Sequence, residues 1–276
     1  MATDTPVAKV MIKRDLYRDF RWAIKSKLYP LKWRWNLRRA HSVLLARHAC
    51  LGEDVLKLLR PRSAMINVQK GRVDYLTDCW EKSSRRANTA LVFPHMERND
   101  TIPCILQEEM LFDWMNPKHP TALFMDSMAE HGDQRFFHKN DKWSFLCAHG
   151  DLRHSVAFKQ TFESAGLLPL DNLTEHFGKF FEQFRVRFGN LPIFYLHFPV
   201  KLDKRQKFLE RYWAIREAVD SLAREFKALH SLAVDDAVVD WDEERTPDMW
   251  DFPYHYNRRT YESFSDLVRK TGCWIP

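Results

Sequence analysis

The sequence predicts an α/β protein, a three-layer fold with a mainly parallel sheet flanked by helices and a basic helical extension at its N-terminus. Short apolar runs at 64–68, 89–93, 122–125, 144–147, 192–198 and 234–239 read as buried strands, with helical patterns between many of them. That alternation favours a parallel sheet with helices on both faces. The 276 residues are 45% hydrophobic and 29% charged, enough to build a real core.

In chain order, the extension comes first, over residues 1–60, and the α/β domain follows over 61–276. Residues 11–41 carry ten Lys or Arg against Asp15 and Asp19, which leaves the rest of the chain slightly acidic. Leu16, Phe20, Ile24 and Leu28 recur every four residues and suit one helix face, among Tyr17, Trp22, Tyr29, Trp33 and Trp35. A second helix is expected over 173–188, with Phe177, Phe180, Phe181, Phe184 and Phe188 on one side and Gly189 as its stop. A long one is expected over 204–230, where Phe208, Tyr212, Ile215, Val219, Leu222, Phe226 and Leu229 follow a 4-3 spacing. Asp203 and Gln206 are placed to form its capping box. A last helix follows Asn257 and ends at Gly272.

Several function classes are disfavoured at once. Only 8 Gly are present, and neither GxGxxG nor GxxxxGK[ST] occurs, so standard nucleotide loops are absent. No apolar run reaches about 18 residues, and the first ten residues lack a secretory pattern. Five widely spaced Cys (Cys50, Cys79, Cys104, Cys147 and Cys273) form no CxxC and read as free thiols in a cytoplasmic protein. No metal site and no cofactor is expected.

Three stretches offer chemistry. In 121–136 an apolar strand runs into Asp126-Ser127 and a polar helical segment. In open α/β sheets, sites form outside the carboxyl ends of strands. A Ser there presents its hydroxyl near backbone N–H groups, unless Asp126 or Ser127 merely caps the next helix. Glu130, His131 and Asp133 then form a substrate-binding rim or plain helix surface. In 248–257, His255 has Asp251 and Asp248 as nearby acids, with Tyr254 among the aromatics that could bury it. In 191–199, His197 lies near a strand end, where it reads as a substrate contact or as a satisfied core histidine. The acids Asp235, Asp236, Asp240 and Asp242 read as a solvated turn, or as the acids of a sugar- or phosphate-handling transferase.

The order of these parts resembles the SGNH (GDSL-type) hydrolase family over residues 121–270. MDS at 125–127 is similar to its GDS block, and HYN before RRTYESFSDLV is similar to its ending. The resemblance implies an SGNH, flavodoxin-like sheet and acyl-transfer chemistry with Ser127 as nucleophile, His255 as base and Asp251 as the orienting acid. A serine hydroxyl is a poor nucleophile until a base takes its proton, and a carboxylate fixes the imidazole tautomer. Met125 stands where the family has Gly, and the Asp251–His255 spacing is DxxxH rather than DxxH. The family places its nucleophile near the start of the domain, whereas about 120 residues precede Ser127. No GxND block matches, and His149-Gly150-Asp151 is the nearest substitute for an oxyanion donor.

The reading is therefore an esterase or O-acyltransferase for a carbohydrate or lipid-linked substrate. The rival is a non-catalytic protein on the same fold that binds a polysaccharide, a membrane or a partner. Basic and aromatic residues together over 11–41 suit an anionic membrane surface better than nucleic acid, for which no module is visible. Binding to anionic vesicles should accordingly weaken between low and high salt, because exposed charges are screened over about 8–10 Å. Binding that ignores salt in a vesicle sedimentation assay would leave this segment a purely structural role.

Overall fold

The computed structural model describes Trp35 and residues 37–82, 87–97, 111–244 and 254–275. The chain divides into two compact units, Met1–Ala40 and His41–Pro276. In the first, Trp35 and residues 37–39 are helical, and the Arg39 guanidinium lies 4.2 Å from the centre of the exposed Trp35 ring. The rest of the expected basic helix lies outside the described residues.

The second unit is built on five parallel strands. These are β1 (Val43–Arg47), β2 (Ala64–Asn67), β3 (Pro120–Asp126), β7 (Ile193–Leu196) and β8 (Leu229–Leu232), in the spatial order β2-β1-β3-β7-β8. Pairing in register joins Leu45 to Ile66 and to Leu123, and Phe124 to Phe194. This is the doubly wound order of flavodoxin-like sheets. The α/β body therefore begins at His41 and not at residue 61. β1 and the helix α1 (Cys50–Leu59) belong to the sheet and its cover, a correction to the expected extension over 1–60.

Side chains alternate across the sheet as the pleat requires. Leu44, Phe124, Phe194 and Leu196 enter one core with Leu51, Val55 and Leu56 of α1 and with Phe264 and Val268 of α6 (Arg258–Lys270). The opposite face meets α2 (Val73–Lys82), α4 (Leu173–Phe188) and α5 (Gln206–Glu225). There Phe177 packs edge-on against Tyr195 at 5.6 Å, and Trp80 stacks against both Trp114 and Phe180 at 5.5 and 5.3 Å, the latter two lying 6.5 Å apart. The central strands β1, β3 and β7 are buried on both faces, so they read as near-continuous apolar runs.

Between β3 and β7 the chain makes a second sheet. It runs from α3 (Met128–Gly132) through β4 (Asp133–His138), β5 (Ser144–Ala148) and β6 (Phe162–Gly166), all antiparallel. Its own core is aromatic, with Phe136, Trp143, Phe145, Phe158 and Phe162 buried together. The run at 144–147 is thus a strand, but of this insert and not of the main sheet. Two other expected strands are corrected. Residues Thr89–Val92 form a short helix followed by a 3-10 turn, and at 234–239 only a 3-10 turn, Asp236–Val238, is found. The eighth strand lies earlier, because Phe226 ends α5 and releases Leu229–Leu232 to pair with β7.

The caps are partly as expected. Asn257 Oδ1 accepts from Thr260 N, and Gly189 ends α4 at φ 72°, a conformation that costs a side chain steric strain. The capping box is not formed. Arg205 is the N-cap of α5, and Asp203 instead accepts from the Arg205 amide and guanidinium.

One ion pair ties the main sheet to the insert. Arg47 Nη1 donates to Glu130 Oε2 at 2.7 Å, both side chains being fully buried. Glu130 Oε1 accepts from Val73 N, and its carbonyl accepts twice from Arg211 of α5. Burial pushes the Glu130 carboxyl up, while at Arg47 burial is outweighed only by the combined attraction of Glu130, Tyr195 and Asp126, which raises the guanidinium and keeps it protonated. Arg47→Ala should destabilise the protein by about 3–5 kcal/mol in urea unfolding, since it strands a buried charge. Replacing both partners by Met should cost clearly less than the two single changes added together.

Candidate active site

The switch point of the sheet lies between β1 and β3, where the chain's progress across the sheet reverses. Ligands in open α/β folds bind outside the carboxyl ends at such a point. Here β1 delivers His48, Ala49 and Cys50, β3 delivers Asp126 and Ser127, and β7 delivers His197 and Phe198.

Asp126 organises the corner. Its Oδ2 accepts from Ala49 N at 2.7 Å and Gly52 N at 3.3 Å, and its Oδ1 accepts from Met128 N at 3.2 Å. The carboxylate occupies the anion position at the start of α1, supplied from another strand. Gly52 is required by the neighbouring His48 side chain, since a Cβ there would lie 2.3 Å from His48 Cβ. Burial pushes the Asp126 carboxyl up to about 6, against the pull of Arg47 and the three amides.

Cys50 is the first residue of α1, and its Sγ donates to Tyr254 O at 3.6 Å. It thereby touches the residue before His255. Burial and the nearby Asp126 push the thiol up to about 12, while the Leu51 and Cys50 amides favour its thiolate. His255 is half-buried, and its carbonyl accepts from Asp242 N. The segment is strapped on both sides, by Asn257 N to Asp240 O and by Tyr256 Oη to Pro199 O at 3.0 Å. Asp235, Asp240 and Asp242 each bond an amide one or two residues onward, which makes the acidic run a set of local turns. Among the described residues no group of three or more His, Cys, Asp or Glu could hold a metal.

Ser127 stands at the carboxyl end of the central strand β3, as expected, but its hydroxyl is not presented. It is 0% exposed, and its Oγ accepts from Phe198 N at 3.1 Å. Among the described residues no hydrogen bond joins Ser127 to His255. Asp251 and Asp248 lie outside the described residues. The expected polar rim is interior: Glu130 holds Arg47, and Asp133 holds Lys70 at 2.9 Å. His131 is buried in parallel stacks with Phe208 and Tyr212, and burial lowers it to about 3.

His197 is buried as a core histidine and bonded at one ring nitrogen, while its Nδ1 is buried without a hydrogen-bond partner among the described residues. Its Nε2 bonds Ser231 Oγ at 2.8 Å, Ser231 donates to Asp220, and burial lowers the imidazole to about 3. Tyr254 Oη accepts from Arg205, which is also paired with Asp203, and burial pushes the phenol up to about 12. Gly150 lies exposed in a 3-10 turn after β5 of the second sheet, so it is not at the end of a main-sheet strand. Sequence reasoning missed Cys50. Its signal is an apolar run, VLLA, that passes directly into a helix start, a strand–turn–helix pattern masked by flanking arginines.

No protein-family model and no curated protein matches the chain. Solved structures that are similar to it include two enzymes. One is the salicylyl-acyltransferase SsfX3 from a tetracycline biosynthetic pathway, at 11% identity and a TM-score of 0.32, over 84% of this chain and 54% of that one. The other is the acetyl xylan esterase Est2A from the rumen bacterium Butyrivibrio proteoclasticus, at 10% identity and a TM-score of 0.37, over 85% and 64%. The chain thus spans less than two thirds of the length of either, and likeness at this level assigns it no activity. No helix among the described residues is long and apolar enough to cross a membrane.

The raised Asp126 has a measurable consequence. Its folded pKa lies above its ordinary 3.8, so its contribution to stability is full below pH 3.8 and is lost as pH rises through about 6. A shift of about two units corresponds to about 3 kcal/mol. Between pH 4 and 7 wild type should lose roughly that much stability relative to Asp126→Asn. A carboxyl carbon titration of Asp126 with a midpoint near 4 would overturn the assignment.

Proposed function

We propose that this chain performs ester chemistry, either hydrolysis or O-acyl transfer, at the carboxyl ends of β1 and β3, on a carbohydrate or lipid-linked ester. The observation that carries the reading is the contact of Cys50 with the His255 segment at the switch point. A nucleophile that keeps its proton until an imidazole takes it is the core of acyl-transfer chemistry. The family resemblance supports the same chemistry and a nucleophile near the start of the domain. Cys50 is the tenth residue of the unit that starts at His41.

In this reading Cys50 Sγ attacks the acyl carbonyl, and His255 takes the thiol proton and returns it to the departing alcohol. Water or a second alcohol then resolves the thioester, giving hydrolysis or transfer. First-turn amides of α1 lie on the nucleophile's side of the corner and suit a developing oxyanion. The triad of Ser127, His255 and Asp251 is the rival assignment for the same reaction. It requires the Phe198 segment to release the Ser127 hydroxyl.

Turnover of p-nitrophenyl acetate, with mass-spectrometric location of the acetylated residue, separates the two. Cys50→Ala and His255→Ala should each lower turnover by about 100-fold or more, with the acetyl group found on Cys50. Ser127→Ala should leave the rate within a few-fold of wild type. Acetyl on Ser127, lost in Ser127→Ala, would move the nucleophile there. A protein that neither acylates nor turns over would be a non-catalytic binder of the same ligand class.

A further inference from the structure

His255 sits between two anchored neighbours. After it, the chain is tied down by Asn257 N to Asp240 O, by Tyr256 N to the Tyr261 hydroxyl at 3.0 Å, and by a bridge from Tyr256 to Trp241. Before it stands Tyr254, whose carbonyl takes the Cys50 thiol. The Tyr254 ring packs edge-on against Phe198 at 5.5 Å, and its hydroxyl accepts from Arg205 Nη2. With both neighbours fixed, the imidazole keeps little more than its own side-chain rotations.

The Arg205 guanidinium is held rigidly for this contact. Asp203 lies in the turn after β7, where its N–H donates to Val200 O at 3.0 Å, and its carboxylate is buried. That carboxylate accepts from Arg205 Nε at 2.9 Å and from Nη2 at 2.6 Å. The guanidinium carbon lies 3.8 Å from the centre of the Phe208 ring and 5.2 Å from that of Tyr254. Burial raises the Asp203 carboxyl, but the bonds from Arg205 outweigh it and hold the group below its ordinary range. Bonding to Asp203 raises the guanidinium in turn. Asp203 thus cancels the charge of Arg205, which leaves the arginine poorly suited to an anionic ligand. Its remaining asset is direction. A planar fork grips two carboxylate oxygens and still aims an N–H at the phenol, whereas an ammonium is a point charge on a flexible stem.

We propose that Arg205 is a positioning residue for the ester chemistry: through Tyr254 it fixes the backbone that carries His255 beside Cys50. Among the described residues no hydrogen bond joins Arg205 to Cys50 or His255, so it acts through Tyr254. The inference rests on the Cys50–His255 reading of the site.

Steady-state turnover of p-nitrophenyl acetate by the intact chain tests it, with carbon relaxation of the His255 ring read on the same variants. Arg205→Lys keeps the charge, and Tyr254→Phe keeps the ring against Phe198. Each should lower kcat about ten-fold with KM within about two-fold of wild type, since a misplaced base slows the chemistry and not the binding. The double variant should be no slower than the worse single one, because all three lose the same bond. The imidazole should be restricted in wild type and mobile in both single variants. Lys207→Ala, which removes an exposed charge from the same helix, should leave kcat within about two-fold. With wild type acetylated on Cys50, an unchanged kcat in both single variants overturns the positioning role and leaves the Cys50–His255 reading standing. A loss carried by KM, losses that multiply in the double variant, or an imidazole whose mobility does not change overturn it in the same way. A wild type that is not acetylated on Cys50 overturns the Cys50–His255 reading, and this proposal falls with it.

Discussion

The corner of this protein depends on one carboxylate, Asp126. Three backbone amides from two separate segments converge on it, and through them the end of β3 is held against the start of α1. A helix N-terminus beside a parallel sheet usually attracts an anion from solution. Here the chain supplies its own. That leaves Asp126 no free role toward a ligand. It also sets the electrostatic surroundings of Cys50, whose thiol it helps keep protonated.

Around this corner the interior is more polar than the composition suggests. Arg47 and Glu130 form an ion pair at complete burial, and Arg211 takes the carbonyl of Glu130 while also bonding Leu168 O. Arg72 makes a two-pronged pair with Asp74 and reaches the carbonyls of Asp133 and Gly166. Arg72 thus ties two strands of the second sheet to the main body, and Arg47 and Arg211 hold the helix α3 that leads into it. Planar, multiply donating side chains suit such joints, since they satisfy several carbonyls without a continuous apolar contact. The insert can thus keep its own aromatic core and still be fixed to the sheet.

The two ends of the sheet differ in kind. The carboxyl end gathers polar and titratable groups, among them Asp126, Cys50 and Ser127, which spend their hydrogen-bonding capacity on backbone amides and carbonyls. The amino end is apolar, with the tail folded beneath it: Trp274 packs edge-on against Phe124 and Phe194 at 6.1 and 5.6 Å. His230 Nε2 and Trp274 Nε1 are both buried at that end without a hydrogen-bond partner among the described residues. The contrast follows from strand direction, because parallel strands align all their carboxyl ends, and the loops that leave them, on one side.

Much of this was legible in the sequence. The strands at 64–67, 120–126 and 193–196, and the helices Leu173–Phe188 and Arg258–Lys270, follow from apolar runs, 3.6-residue spacing, and their Asn and Gly ends. Local patterns determine these because the signals lie within each segment. β1 was obscured because VLLAR is short and sits beside a run of arginines, although Arg47 is itself buried by a partner 83 residues away. Ser127 looked presented because its strand-to-helix position was correct, and only the neighbouring β7 segment, through Phe198 N, covers its hydroxyl. The sequence by itself determined the class of fold and the segment that holds His255. Only the tertiary structure decided which nucleophilic side chain meets that segment. Cys50 and Tyr254 lie 204 residues apart, and strand order, which no local pattern encodes, brings them into contact.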